Sequence, residues 1–344
     1  MFQFQCDYNE GAHPRILERL VETNLVQTPG YGEDEYCEHA RTLIREACRA
    51  PQADVHFLVG GTQTNATVIS SILRPYQGVL CAVNGHINVH ETGAIEHAGH
   101  KVLPLPATEG KITASQIDEA FAAHYADGSH EHIVQPGMVY ISFPTEYGTI
   151  YSLTELTAIS EVCHRWGSPL FVDGARLGYG LMSGRNDITL PDLARLADVF
   201  YIGGTKQGAL FGEAVVITAD SLNKDFRYHI KQGGGMLAKG RLLGIQYEVL
   251  FADGLYFQLA AHADHLAERI HDAFAAKGIA FQVDSPTNQQ FPILTDQQRE
   301  QLNRHFVSEF WGRVDDTHCC VRFCTSWATC EEAVDKLVSA IAAL

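Results

Sequence analysis

Four short segments carry residue types able to do chemistry, and each follows an apolar, strand-like run. In Gly60-Gly61-Thr62-Gln63-Thr64-Asn65, two glycines precede a helical pattern. Free backbone N–H groups and the Thr62 hydroxyl, at the positive end of a helix, would cradle a phosphate. In Phe171-Val172-Asp173-Gly174-Ala175-Arg176, a carboxylate ends a very apolar strand and an arginine stands three residues on. The carboxylate either caps the next element or faces a cation in a dry site. The arginine could serve a carboxylate or phenolate oxygen. In Gly203-Gly204-Thr205-Lys206-Gln207-Gly208, a lysine sits among small residues at a strand's end. Burial and neighbouring cations there would lower the amine's pKa and suit it to attack a carbonyl. In Gly85-His86-Ile87-Asn88-Val89-His90-Glu91, His86 offers a flat ring face or a base. Taken together the four fit pyridoxal phosphate. Asp173 would keep a pyridine nitrogen protonated, Lys206 would hold the aldehyde, His86 would pack on the ring and the helix end would hold the phosphate.

These residues need a frame. Strand-like runs fall at Val55–Val59, Val79–Val83, Lys101–Leu105, Met138–Phe143, Pro169–Asp173, Val199–Ile202 and Glu213–Thr218. Helical patterns at Thr62–Leu73, Thr113–Ala126, Leu153–Trp166 and Leu190–Ala197 alternate with them. Such alternation predicts an α/β domain with a mostly parallel, seven-stranded sheet flanked by helices. Its ligands would sit at the carboxyl ends of the strands. After residue 236 the pattern changes. Helices at Met236–Phe251 and Tyr256–Lys277 lead to strands at Ala280–Val283, Phe291–Leu294 and Cys319–Thr325. Helices are expected near Asp296–Phe306 and at Cys330–Ala343. The reading is an N-terminal arm over 1–30, a large domain over 31–240 and a smaller α+β domain over 241–344.

Composition sets bounds. The 344 residues are 46% hydrophobic and 19% charged, enough to bury a full core. A formal net charge of −16 argues against nucleic-acid or anionic membrane partners. Nine cysteines, an odd number, point to a reducing cytoplasm rather than a disulfide framework. The opening residues lack the basic start and apolar core of a signal peptide. Cys319, Cys320, Cys324 and Cys330 contain no CxxC pair, and His90-Glu91 with His97 and His100 does not make HExxH, so no metal is expected.

With these residues in view, the chain resembles the low-specificity L-threonine aldolases of the β-eliminating lyase group, fold-type-I pyridoxal-phosphate enzymes. The resemblance runs nearly end to end, through Cys6-Asp7-Tyr8, Tyr31-Gly32-Glu33-Asp34, Gly61-Thr62-Gln63-Thr64-Asn65, His86 with Glu91, Val172-Asp173-Gly174-Ala175-Arg176, Thr205-Lys206, Gly233-Gly234-Gly235-Met236 and Val321-Arg322. It implies a homodimer or homotetramer with active sites at subunit interfaces. It implies cleavage of a β-hydroxy-α-amino acid to glycine and an aldehyde, with β-elimination or transamination as the alternatives. Lys206 matches the Schiff-base lysine, Asp173 the pyridine-nitrogen partner and His86 the stacked histidine. Gly61, Thr62 and Gln63 match the phosphate loop. Arg176 and Arg322 match the arginines near the cofactor's phenolic oxygen and the substrate carboxylate, and Tyr31 lies at the pocket mouth. There are three departures. Glu146 stands where the family has a second histidine, making it and His86 the candidate bases. Cys6 replaces a serine that touches the substrate carboxylate. Leu237 replaces an arginine that reaches the neighbouring subunit's phosphate, with Lys231 and Lys239 nearby as substitutes.

Overall fold

The computed structural model describes all 344 residues. The chain opens with a two-residue strand, β1 (Phe2–Gln3), and then a helix, Pro14–Thr23. The large sheet is built from β2 (Asp54–Leu58), β3 (Gln77–Ala82), β4 (Lys101–Leu105), β5 (Gln135–Ser142), β6 (Leu170–Asp173), β7 (Val199–Gly203) and β8 (Glu213–Ile217). Their order is β2-β8-β7-β6-β5-β3-β4. All neighbours are parallel except at β8, which runs against both β2 and β7. This is the expected α/β architecture.

Alternation along the strands explains why both faces of the sheet are covered. Phe57, Ile141, Val172, Phe200 and Val216 point into one core, Met138, Tyr140, Phe171, Tyr201 and Val215 into the other. Burying one such side chain fully contributes about 1.5–3 kcal/mol. The connecting helices start where side chains supply the missing acceptors. Thr113 with Gln116 and Ser152 with Glu155 form reciprocal capping boxes.

The smaller sheet consists of β9 (Gln289–Gln290), β10 (Ile293–Thr295), β12 (Glu309–Arg313) and the central β13 (His318–Cys324). The strand between them in sequence, β11 (Phe306–Val307), pairs instead with β1, in parallel. The N-terminal arm is thus stitched to the C-terminal region, and Phe4 is buried in its core. Helix Leu255–Ala276 covers this side and packs against both Leu177–Met182 and Glu331–Ala342.

Three expectations are corrected. Ala280–Val283 is not a strand; Phe281 makes one isolated bridge to Pro292. The helix expected from Met236 begins at Arg241. Gly234 has a positive φ that turns the chain, and Gly240 packs so tightly that a Cβ there would lie 2.3 Å from the Gly32 nitrogen. The helix expected to reach Phe306 ends at Asn303, because Phe306 joins the pairing with β1. Cys319, Cys320 and Cys324 are buried on β13, whereas Cys330 is exposed. No helix is long and apolar enough to cross a membrane.

Candidate active site

Asp173 ends β6 at the centre of the sheet's carboxyl edge. Its neighbours β5 and β7 place Tyr140 and Tyr201 on the same face, and both hydroxyls donate to its carboxylate at 2.5 Å. The Ala175 N–H donates at 3.0 Å and Asn65 Nδ2 at 3.1 Å. Burial opposes the charge on Asp173, but the nearby His86 and these donors hold its carboxyl below the usual range. Gly174 makes the close packing of this loop possible: a Cβ there would lie 1.9 Å from the Tyr201 carbonyl oxygen.

The network continues outward. The same Asn65 amide donates to Glu91 at 2.7 Å, and Glu91 also pairs with His86 Nδ1 at 2.7 Å. His86 opens the short helix His86–Val89 just beyond β3, so its ring is fixed by a buried carboxylate. Burial disfavours its cation. The Glu91 bond and the charges of Glu146 and Asp173 outweigh that and raise its pKa above the ordinary histidine value.

Lys206 lies in the turn after β7, half-buried, with its Nζ 5.9 Å from the centre of the Tyr8 ring. Its amine pKa is lowered, by desolvation first and by Arg176 next, against the opposing charges of Asp7, Glu146 and Asp173. At the end of β2, the helix Gly61–Ile72 begins with no side chain capping it. The amides of Gly61, Thr62 and Gln63 find no acceptor within the chain, and the space where a Gly60 side chain would stand is empty. Such a helix end is suited to an anion.

The two arginines are already engaged. Arg176 is buried and meets Asp7 through two bonds of 2.7 and 2.9 Å. Asn288 also donates to Asp7, at 2.9 Å. Arg322 pairs with Glu309 and donates to the Gln5 carbonyl at 3.0 Å and to Gln289 at 3.1 Å.

Comparison with known proteins places this arrangement. Residues 11–297 match the beta-eliminating lyase family. A low specificity L-threonine aldolase of Pseudomonas sp. is 30% identical over 99% of this chain and 97% of its own length. A solved structure of Leishmania major threonine aldolase superposes with a TM-score of 0.96 at 45% identity, covering 99% of this chain and 98% of that one. N-succinyldiaminopimelate aminotransferase from Mycobacterium tuberculosis shares the fold, with a TM-score of 0.72 at 15% identity over 99% of this chain and 92% of that one. The chain belongs to the beta-eliminating lyase family.

As a member of this lyase family it is pyridoxal-phosphate-dependent and has the fold-type-I architecture. The donor set fits that cofactor. The uncapped helix end suits a phosphate, the buried anion Asp173 suits a protonated ring nitrogen, and Lys206 is an amine with a lowered pKa.

The remaining expected residues are more dispersed. Glu146 is half-buried at the edge of the group, and its charge is felt by His86, Arg176 and Lys206. Cys6 is half-buried, its thiol 3.1 Å from Asn9 Oδ1, and burial raises its pKa. Tyr31 is exposed, in a left-handed turn, with Lys231 Nζ 4.8 Å from its ring centre. Lys231 and Lys239 are both exposed, while Leu237 packs against the main core. The segment carrying them touches the helix end through Gln63, whose amide donates to the Gly233 carbonyl at 3.0 Å.

Sequence reasoning passed over Tyr140, Tyr201, Asn65 and Asp7 as working groups. Asn65 and Asp7 stand inside motifs that drew notice. The two tyrosines gave no signal beyond that of core aromatics.

Proposed function

We propose that the protein cleaves the Cα–Cβ bond of β-hydroxy-α-amino acids of the threonine type, yielding glycine and the matching aldehyde. What carries this reading is the Asp173-centred network, facing Lys206 and His86, in a chain congruent with a threonine aldolase over nearly its whole length. Lys206 would hold the cofactor's aldehyde carbon, Asp173 its ring nitrogen, the Gly61–Gln63 amides its phosphate, and His86 its ring face. Bound there, pyridoxal phosphate supplies an electron sink for the bond that breaks.

The chain's own groups do the rest. Arg322 fixes the substrate carboxylate once Glu309 gives way, and Arg176, held flat by Asp7, lines the same side. Fixing the carboxylate sets which Cα bond stands ready to break. His86 is the base for the β-hydroxyl proton. Its Nδ1 is committed to Glu91, which leaves Nε2 to take the proton and return it. Glu146 lies on the same side and holds His86 toward its charged form.

The assembly that best serves this site is a homodimer or homotetramer in the cytoplasm, with Lys231 or Lys239 reaching a neighbouring subunit's phosphate and Tyr31 at the mouth. The division into an arm over 1–30, a large domain over 31–240 and a small one over 241–344 accompanies that reading.

The test is product identity. The protein loaded with pyridoxal phosphate is incubated with L-threonine, L-allo-threonine, phenylserine, L-serine and L-cysteine, and products are read by mass spectrometry. Glycine plus the aldehyde is the expected outcome. A keto acid with ammonia instead would mean that Glu146, in the histidine's place, has turned the chemistry to elimination.

A further inference from the structure

One buried carboxylate has no part in the reading above. Glu213 opens β8 and is 3% exposed. It meets no arginine or lysine in an ion pair. Burying a charge without such a partner is costly unless hydrogen bonds or another group's charge compensate.

Its position follows from the topology. Because β8 runs against its neighbours, its first residue lies at the carboxyl edge of the sheet, level with the last residues of β2 and β7. Glu213 pairs with Leu58 on one side and Gly203 on the other. Leu58 leads into the uncapped helix end and Gly203 into the turn that carries Lys206. The carboxylate bonds to that turn twice. Oε2 accepts from the Gly204 N–H at 3.1 Å, and Oε1 accepts from the Thr205 hydroxyl at 3.0 Å. Thr205 Oγ1 in turn accepts from the Gly212 N–H at 3.1 Å, so the turn is closed on itself around the carboxylate. Tyr247 seals the underside with a bond of 2.6 Å to the Ile202 carbonyl.

We propose that Glu213 is a positioning residue that sets the Gly204–Lys206 turn and, through its charge, favours the protonated form of the nitrogen at Lys206. The groups facing it are consistent with that role. Lys206 is the cation whose charge Glu213 feels; Asp173 is the nearby anion; and the hydroxyls of Tyr201, Tyr247 and Tyr256 complete the surroundings. Burial pushes the carboxyl up to about 8, against the Thr205 bond, the Lys206 charge and the Gly204 N–H, with Asp173 adding to the rise. The Lys206 charge thus favours the ionised carboxyl, and the carboxyl, where ionised, favours the cation at Lys206 in return. The sequence carries one sign of this: an acidic residue heading the otherwise apolar run Glu213–Thr218.

The proposal rests on Lys206 being the residue that holds the cofactor, and the experiment separates the two claims. The wild-type protein and the Glu213→Gln and Glu213→Asp variants are loaded with pyridoxal phosphate. The visible absorption of each is titrated with pH, its thermal melting is recorded, and the attachment site is mapped by borohydride reduction and peptide mass spectrometry. The Gln variant keeps the shape and loses the charge. Its label stays on Lys206, and its absorption midpoint moves to lower pH by at least about half a unit. The Asp variant keeps the charge but fits the turn less well. Its melting falls while its midpoint stays near the wild-type value. A Gln variant with the wild-type midpoint, or an Asp variant shifted as far as the Gln variant, overturns the proposal. A wild-type protein that takes no label at Lys206 overturns the assignment of that lysine instead.

Discussion

On one side of the site, Asp173 is gripped by hydroxyls from the two strands flanking its own, and by an amide from the helix above. On the other side, Arg176 and Arg322 are held by Asp7, Gln5 and Glu309, which come from the arm and the small sheet. The first side is built mainly on one sheet, whose register places Tyr140 and Tyr201 beside Asp173. The second is assembled from segments that only tertiary packing brings together. A group that must hold a cofactor ring steady profits from the first arrangement. A group that must release one carboxylate and accept another profits from the second.

The largest effect should come from the rigid side. Lys206→Ala is expected to abolish turnover and covalent retention of the cofactor, read by the product assay and by intact mass after reduction. Turnover persisting without this lysine would dissolve the distinction, since the sheet side would then not be where the chemistry is anchored. Asp173→Ala comes next. It leaves the Tyr140 and Tyr201 hydroxyls buried without their acceptor, at a cost of about 1–3 kcal/mol for each, visible in chemical denaturation of the apoprotein. Asp173→Asn, which keeps the size but loses the charge, should stay folded and lose activity.

Asp7→Asn tests the assembled side at its most buried point. Removing one partner of such a pair costs about 3–5 kcal/mol when a charge is left uncompensated. The wild-type protein should show the same pair in its pH dependence. Asp7 has its carboxyl held well below the ordinary range, burial being overcome by Arg176 and Lys206. With the folded pKa below the unfolded one, the stabilisation is complete above about pH 4 and drains away as the pH falls further. Denaturation curves for wild type and Asp7→Asn should converge on acidification. Curves that stay parallel would mean that the pair is not the source.

Glu91→Gln should have a smaller effect. His86 has a raised folded pKa, so the stability it contributes is present below about pH 6.5 and is lost as the pH rises through the folded value. The variant should lower the His86 midpoint observed by NMR and shift the acidic limb of the rate profile the same way. Glu309→Gln is expected to have the smallest effect, because this partner is 44% exposed. Freeing Arg322 should lower KM for the amino acid by a factor of about two to five. A raised KM would mean that Glu309 helps to bind substrate rather than yielding to it.

The same contrast governs what could be read from the sequence. The strands of the large sheet were legible because a parallel sheet covered on both faces needs near-continuous apolar runs. Lys206, Asp173 and His86 stood out because each follows such a run among small residues. Tyr140 and Tyr201 did not, since a tyrosine inside an apolar run looks the same whether its hydroxyl is functional or merely tolerated. The pairing of Asp7 with Arg176 joins positions 169 apart, and no local pattern carries that information. Ala280–Val283 misled because its pairing stops at a single bridge, Phe281 to Pro292, too short to make a strand.

The stitching of β1 to β11 has a consequence for how the protein is made. Gln5 and Asp7 leave the ribosome before Arg322 and Asn288, which follow 317 and 281 positions later. Once β8 has emerged, the sheet side can be complete while the arm still lacks Arg322 and Asn288. A nascent chain should therefore acquire its cofactor pocket before it can hold an amino acid, and competence to turn over substrate should appear only as the last strand, β13, emerges.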